Sequence, residues 1–416
     1  ALHVELADEA VLLEGDLSAT YLSIEAIIRA CVDTGAQAVH PGYGFLSERA
    51  EFAHAIEAAG LIWIGPPASA IESMGDKVAA RRTMREAGVP VTPGGELSET
   101  DDLPARTLAL HELASRVGFP LLLKASAGGG GKGMRIVHSA GELDSAYVAG
   151  QREALSAFGD GTVYVESLLE TPRHIEVQVV GDGAGRVEHL GERDCSLQRR
   201  HQKILELAPA PLLAENTRAQ LWECAVRLAA AVKYKGVGTV EFLVNSDNGN
   251  FYFIEMNPRL QVEHTVTEML YGIDLVQVQL RIAAGEDFEA VLKNRNLKPS
   301  GCAMQLRINA EKLSESGEFY PATGRILEFQ PPAGIGFRVD AGVHEGVEVT
   351  SNFDPLLAKL IVYTSENDLS ALIRRAKRGL SEFRVSGVQT NIEFLKAVIS
   401  EEAIMKVKLN PAKQLG

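Results

Sequence analysis

The chain of 416 residues is long enough for two or three domains, and with 46% hydrophobic and 23% charged residues it has the composition of a globular protein. A formal net charge of −14 excludes general nucleic-acid binding, which needs a basic surface, but leaves room for a local basic pocket that takes an anion. No apolar run reaches the roughly 18 residues of a membrane span, and Cys31, Cys195, Cys224 and Cys302 form neither metal-ligand pairs nor a disulfide framework, which fits a reducing compartment.

The first residues, Ala1-Leu-His-Val-Glu-Leu-Ala7, lack a basic stretch ahead of an apolar one, so no signal peptide is expected; without an initiator Met the chain reads as processed or as a fragment. Residues 23–33 carry apolar side chains at helical spacing, and Ala36-Gln-Ala-Val39 predicts a short strand ending in a glycine-rich loop. A helix at 47–59, the strand Leu61-Ile-Trp-Ile64 and the stop Gly65-Pro-Pro67 complete a βαβ rhythm, hence a parallel sheet. A helix over 76–87 closes at Gly88, and Val91-Thr-Pro-Gly-Gly95 with the polar run to Pro104 reads as a linker. From about 105 to 170 the pattern is helix, strand (120–124), glycine loop, strand (134–137), helix, strand (163–166). Antiparallel strands are predicted at 174–180 and 186–190 around Gly181-Asp-Gly-Ala-Gly185, followed by helices at about 211–232, 263–270 and 274–284. Beyond Gly301 the chain is mostly strand, with two helices at about 367–384 and 390–399.

Val237-Gly-Thr-Val-Glu-Phe-Leu-Val244 and Phe251-Tyr-Phe-Ile-Glu-Met-Asn257, separated by Ser246-Asp-Asn-Gly249, predict a β-hairpin. With Asp247-Asn248-Gly249 as a three-residue loop, Glu241 falls opposite Glu255, Cβ atoms roughly 5 Å apart on one face. A hard divalent cation removes the repulsion of two such carboxylates, and Asn257 offers a further oxygen. A tighter Asn248-Gly249 turn would shift the register and spoil the pairing, leaving two solvated acids on a polar face.

Lys124-Ala-Ser-Ala-Gly-Gly-Gly-Gly-Lys-Gly-Met134 follows a strand; its glycines expose backbone N–H groups to an anion and Lys132 adds charge. Gly133 after Lys132 excludes a Walker A loop, and the β-like continuation excludes the dinucleotide fingerprint. Arg193-Asp-Cys-Ser-Leu-Gln-Arg-Arg-His-Gln-Lys203 is equally a solvated basic face or an anion site. In Asn257-Pro-Arg-Leu-Gln-Val-Glu-His-Thr-Val266, Arg259 suits a planar oxyanion and Glu263 a base, against the plain alternative of acids at a helix start.

These stretches, together with His40-Pro-Gly-Tyr-Gly-Phe-Leu-Ser-Glu48, Met74-Gly-Asp-Lys77, Pro172-Arg-His-Ile-Glu-Val-Gln178 and Phe353-Asp-Pro-Leu-Leu-Ala-Lys-Leu360, resemble biotin carboxylase nearly end to end. That family is the ATP-grasp component of carboxylases acting on acetyl-CoA, propionyl-CoA, methylcrotonyl-CoA or pyruvate. The resemblance implies a mixed α/β and α+β fold: a truncated N-terminal parallel α/β (preATP-grasp) domain over 1–75, an ATP-grasp region over 76–300 with a glycine-rich lid at about 95–170, and a mostly antiparallel C-terminal domain over 301–416. It implies that ATP phosphorylates bicarbonate to carboxyphosphate, whose CO2 is captured by N1 of carrier-bound biotin, with Mg2+ or Mn2+ as cofactor.

Carried over by motif, Lys77 and Lys124 bind phosphates and Gly128, Gly129, Gly130, Gly131, Lys132 and Gly133 close over them. Glu166 and His174 hold adenine and ribose beside Gln198 and His201, and Lys203 sits near the γ-phosphate. Glu241, Glu255 and Asn257 ligate the metal; Arg259, Gln261 and Val262 hold bicarbonate; Glu263 is the base; Arg338 stabilises the biotin enolate; Tyr43 and Gly44 lie near the biotin ring. Implied partners are a biotin carrier protein or domain, a carboxyltransferase and a second copy of the chain, in the cytoplasm or, after loss of a transit peptide, the mitochondrial matrix. Another carboxyphosphate-forming ligase of carbamoyl-phosphate type and an inactive nucleotide-binding fragment are the other readings. The chain lacks the family's initial Asn-Arg-Gly-Glu strand–helix unit and its Asp-Thr-bearing tail, so an exposed edge on the first sheet is expected.

Overall fold

The computed structural model describes residues 2–16, 20–75, 77–97, 103–125, 134–159, 161–169, 172–200, 202–293, 298–314 and 317–400. In the N-terminal region a short helix at Leu2–Leu6 and a 3-10 turn at Thr20–Leu22 precede α1 (Ile24–Thr34), which is capped by the Ser23 hydroxyl, accepting from the Ala26 N–H at 3.3 Å, and closed by Gly35 at φ +68°. β1 (Ala38–Val39) and β2 (Ile62–Trp63) pair in parallel across α2 (Ala50–Ala58), as the βαβ rhythm predicts. Ala53, Ile56, Trp63 and Ile71 close a small core around them.

α3 (Lys77–Glu86) leads into a four-stranded antiparallel sheet. Its strands are β3 (Gly94–Glu96), β4 (Leu121–Ala125), β5 (Met134–Val137) and β6 (Val163–Ser167), in the order β3-β6-β4-β5. Leu121, Leu123, Val137 and Val165 are buried with residues of α4 (Leu103–Val117) and α5 (Ala140–Phe158). The stretch expected to be a linker supplies β3. Its Gly94 pairs with Glu166, and a Cβ there would stand 2.2 Å from the Val165 carbonyl oxygen. The glycine serves close backbone approach, which its sequence signature does not separate from a loose turn.

The largest element is an eight-stranded antiparallel sheet. It comprises β7 (Pro172–Asp182), β8 (Val187–Arg199), β9 (Gln202–Ala208), β10 (Lys235–Asn245), β11 (Phe251–Asn257), β12 (Cys302–Asn309), β13 (Phe337–Ala341) and β14 (Leu356–Thr364). The order is β11-β10-β7-β8-β9-β12-β14-β13, so the strands before and after residue 301 share one sheet through the β9–β12 pair. Alternation assigns the faces. Ile175, Val177, Val179, Val240 and Phe242 pack on α6 (Glu215–Ala231), and Met304, Leu306, Leu360 and Val362 pack on α8, which follows α7 (His264–Tyr271) and spans Leu369–Glu382. The opposite face carries His174, Glu176, Gln178, Arg193, Thr239, Glu241, Gln305 and Arg307. No helix among the described residues is long and apolar enough to cross a membrane.

The acid hairpin forms with Glu241 opposite Glu255, but not through a three-residue loop. Val244 pairs with Phe251, and the Asn245 N–H donates to the Asn250 carbonyl at 2.7 Å, leaving four residues, 246–249, in the turn. Gly249 takes φ +72° there, and the Asn245 side chain accepts from the Asp247 N–H at 2.8 Å. That register alone would place Ile254 opposite Glu241. A bulge between Glu241 and Phe242 on the pairing ladder absorbs one residue of β11 and returns Glu255 to the polar face.

Candidate active site

The register aligns Glu255, Glu241, Glu176 and Arg193 in one row across β11, β10, β7 and β8. Three acids side by side require cations. Arg193, with no exposed surface, supplies one from below: Nε donates to Glu176 Oε1 at 2.5 Å, Nη1 to Gln178 at 2.7 Å and Thr267 at 2.9 Å, and Nη2 to Thr239 at 3.0 Å. Lys203 supplies the other from β9, its ammonium 2.7 Å from Glu176 Oε2, 2.9 Å from Glu241 Oε1 and 2.6 Å from Glu263 Oε1. Burial works against the charge on Lys203, but the three carboxylates outweigh it and hold its pKa well above the ordinary lysine value.

Glu263 precedes α7 without capping it; its fully buried carboxylate turns to Lys203 and to Arg307, whose Nη2 lies 3.1 Å away. Burial would raise its pKa, yet Lys203, Arg307 and Arg193 together depress it, so Glu263 is a carboxylate. Glu241 is likewise held well below the usual range, against burial, by Lys203 and His174. His174 Nε2 lies 2.7 Å from Glu241 Oε2 and Nδ1 faces Gln198 Nε2 at 2.9 Å; burial disfavours its charge and Glu241 restores it, so its pKa is raised. Asn257 and Gln261 donate to Glu241 Oε1 at 2.9 and 3.1 Å. Arg259 donates to Asn257 and Gln261, both at 3.3 Å, and its Nε stands 3.1 Å from Glu48.

His174, Gln198, Lys203, Glu241, Asn257, Arg259, Gln261, Glu263 and Arg307 line one cleft of about 840 Å³, whereas Glu176 and Arg193 are buried behind them. Its other wall is the small sheet, where Glu166 forms ion pairs with Lys124 and with Arg81 at 3.0 Å, and accepts from Thr92 at 3.1 Å. Tyr43, Gly44 and Val262 also line it, as does Glu255. Lys77 lies on α3, but its side chain is outside the described residues, as are Gly128–Gly133 with Lys132, and His201. Ligand atoms of His174, Glu176 and Glu241 lie within 4.8 Å of one another, and the Lys203 ammonium bonds two of the three residues.

Arg338 is not in this cleft. It sits on the edge strand β13, where Nε and Nη2 grip Asp340 at 2.8 and 2.9 Å and Nη1 donates to Glu268 at 2.7 Å, lining a second cleft of about 550 Å³ with His264 and Asp274. The arginine that the fold brings to Glu263 is Arg307. Sequence reasoning passed over it, and over Arg81, Glu176 and Glu206; Arg193 it named only within a basic run left open between surface and anion site. A signal existed: Cys302-Ala-Met-Gln-Leu-Arg-Ile-Asn309 and His174-Ile-Glu-Val-Gln178 place polar residues at every second position of apolar strands, which marks a polar face needing partners.

Sequence models of three families match the chain in succession: the biotin carboxylase N-terminal domain over residues 1–71, the ATP-binding domain of the carbamoyl-phosphate synthase L chain over 76–291, and the biotin carboxylase C-terminal domain over 305–411. The chain is 48% identical over 404 residues to the mitochondrial methylcrotonoyl-CoA carboxylase subunit alpha of Glycine max, covering 97% of this chain and 54% of that protein. It therefore spans about half the length of that relative. It is 45% identical over 405 residues to biotin carboxylase of Haemophilus influenzae, covering 97% of this chain and 88% of the relative. The crystal structure of the biotin carboxylase–beta-gamma-ATP complex from Campylobacter jejuni superposes with a TM-score of 0.91 at 40% identity, covering 99% of this chain and 89% of the other. The biotin carboxylase domain dimer of Hydrogenobacter thermophilus 2-oxoglutarate carboxylase, in complex with MgADP, ADP and bicarbonate, superposes with a TM-score of 0.87 at 42% identity, over 96% and 86% of the two chains.

Proposed function

The chain belongs to the biotin carboxylase family, and on that premise we propose that it uses ATP to carboxylate biotin with bicarbonate. The observation that carries the proposal is the meeting of Lys203, Glu263 and Arg307 at the back of one cleft, behind the opposed acids Glu241 and Glu255. Glu241, Glu255 and Asn257 present oxygens from one face of one hairpin, a donor set that fits Mg2+ or Mn2+. Bound there, such an ion would neutralise triphosphate charge.

The chain's own residues supply the remaining work. Lys203 is, among the described residues, the one ammonium shared by Glu176, Glu241 and Glu263, and an arriving γ-phosphate competes for it. As Lys203 turns to the phosphate, Glu263 loses a cation that depresses its pKa, and its affinity for the bicarbonate proton rises. Arg259, Gln261 and the Val262 backbone orient bicarbonate for attack on the γ-phosphorus, giving carboxyphosphate and ADP. Carboxyphosphate breaks down to CO2 and phosphate; the released phosphate takes the N1 proton of biotin, and N1 forms its bond to the CO2 carbon. Arg307, not Arg338, stabilises the anion that develops on the biotin ring, beside Tyr43 and Gly44. Lys77, Lys124, Lys132, the glycines 128–133, Glu166, His174, Gln198 and His201 belong to the nucleotide part of the same reading.

The biotin arrives on a carrier protein or domain, and a carboxyltransferase uses the product; a second copy of the chain completes the assembly. The reaction belongs in the cytoplasm or the mitochondrial matrix, where the free cysteines stay reduced. The test is ATP cleavage with bicarbonate, with and without biotin. Stimulation by biotin, and its loss in Glu263→Gln, is the expected result. ATP cleavage driven by ammonia or glutamine in place of biotin would replace this function with that of a carbamoyl-phosphate-forming ligase.

A further inference from the structure

Arg307 enters the cleft from β12 with unequal ends. Nε donates to Glu206 at 2.6 Å and Nη2 to Glu263 at 3.1 Å, while Nη1 has no partner among the described residues. Glu206 is fully buried on β9, and its other oxygen accepts from Gln305 Nε2 at 3.0 Å. Gln305 stands opposite Glu206 in the β9–β12 register and accepts in turn from Thr265 Oγ1 at 2.5 Å. Thr265 lies two residues beyond Glu263, at the start of α7. The bonds therefore close a ring: Glu263, Arg307, Glu206, Gln305, Thr265, and back along the backbone to Glu263. Glu206, Gln305, Thr265 and Glu263 have no exposed surface, so the ring meets water only at Arg307, whose side chain is 18% exposed.

We propose that Glu206, anchored through Gln305 to Thr265, is a positioning residue for Arg307. It fixes the Nε edge of the guanidinium and turns the Nη edge toward the cleft, at constant separation from Glu263. The fork of an arginine has a direction that an ammonium lacks, so control of one edge sets what the other can reach. Lys203 is tied to Glu176, Glu241 and Glu263 but to no member of the ring except Glu263. Lys203 can thus change partners while the arginine stays in place. The inference rests on the biotin carboxylase reading above.

The test is a kinetic cycle. Glu206→Gln is expected to lower kcat of biotin-dependent ATP cleavage by about 10- to 100-fold while KM for ATP stays within about twofold, because misplacement of a reacting-site group acts on turnover. In an Arg307→Ala background the same change is expected to cost no further kcat, since Glu206 acts through Arg307. Wild-type kcat in Glu206→Gln, or a loss that adds in full to that of Arg307→Ala, overturns the proposal. If Glu206→Gln fails to fold, Thr265→Val removes only the outer bond. It is expected to lower kcat about two- to fivefold with KM for ATP unchanged; no loss overturns the proposal. A second readout needs no turnover: the Arg307 Nε–H resonance, assigned by its loss in Arg307→Lys, is expected to be slow to exchange in the wild type and fast in Thr265→Val. Equal exchange rates overturn the ring. A wild type that shows the slow resonance but no biotin-dependent turnover keeps the ring and refutes the functional reading instead.

Discussion

Arg307 and Arg338 lie on the same face of the eight-stranded sheet, two strands apart, and each is gripped by two acidic residues. Their surroundings differ. Arg338 is about one-third exposed on an edge strand, and its three guanidinium nitrogens are all engaged, two of them by the single carboxylate of Asp340. Arg307 is more deeply buried between two inner strands, engaged on two nitrogens, with the third edge toward the cleft. A saturated arginine is a structural clasp; one held by a single edge has binding capacity left. The identity of the residue and the parity of its strand position are the same in both cases, so they cannot tell the two roles apart.

The strongest test of this contrast lies beneath it. Arg193 resembles Arg338 in being saturated, but it is fully buried, and Arg193→Met leaves Glu176 in the interior with Lys203 as its one remaining cation among the described residues. The expected loss is about 3–5 kcal/mol of unfolding free energy in urea melts. A loss below about 1 kcal/mol would show that water already reaches the row of acids.

Turnover provides the next comparison. Arg307→Ala is expected to reduce biotin-dependent ATP cleavage about 100-fold, about 3 kcal/mol of transition-state stabilisation. Arg338→Ala should stay within about threefold of wild type, as expected for a pair remote from the chemistry. Equal losses in the two variants would erase the distinction.

His264 reports on the ground between the arginines, since it follows Glu263 and lines the Arg338 cleft. Burial, with help from Lys359, pushes its pKa down to about 3. The imidazole is therefore neutral in the fold, whereas the unfolded chain binds a proton below its ordinary value near 6.5. Stability contributed by this group falls as the pH drops from 7 toward 3, by about 2 kcal/mol between pH 7 and pH 5. Denaturation at both pH values, on wild type and His264→Asn, measures it; the same pH dependence in both proteins would mean the helix start is wet. The smallest expected effect is the coupling of Arg338 to Asp340, under about 1 kcal/mol in a double-mutant cycle because both side chains are partly exposed.

Motif and period carried much of the rest. The parallel pair near the N-terminus, the small sheet around the glycine run and the acid hairpin follow from alternation and turn residues. Glu241 and Glu255 do stand opposite each other, through a four-residue turn corrected by a bulge, because pairing depends on the whole ladder and not on the loop alone. The Gly94-Gly95 stretch looked like a linker, since a glycine that admits a neighbouring strand and one that loosens a turn are the same letter. The basic run from Arg193 to Lys203 was undecided between surface and site, and it divides: Arg193 is entirely buried, Arg200 is exposed, and Lys203 stands in the cleft.

Local chemistry is written in the chain: which residues carry charge, which strands have one polar face, and which stretches match a known family. Partnership is not. Whether Arg307 or Arg338 meets Glu263, and whether one ammonium serves three carboxylates, depends on strand order and on where α7 crosses the sheet. Coulomb and hydrogen-bond energies fall off over a few ångströms, so residues far apart in the chain acquire their chemical roles only when the fold sets those distances.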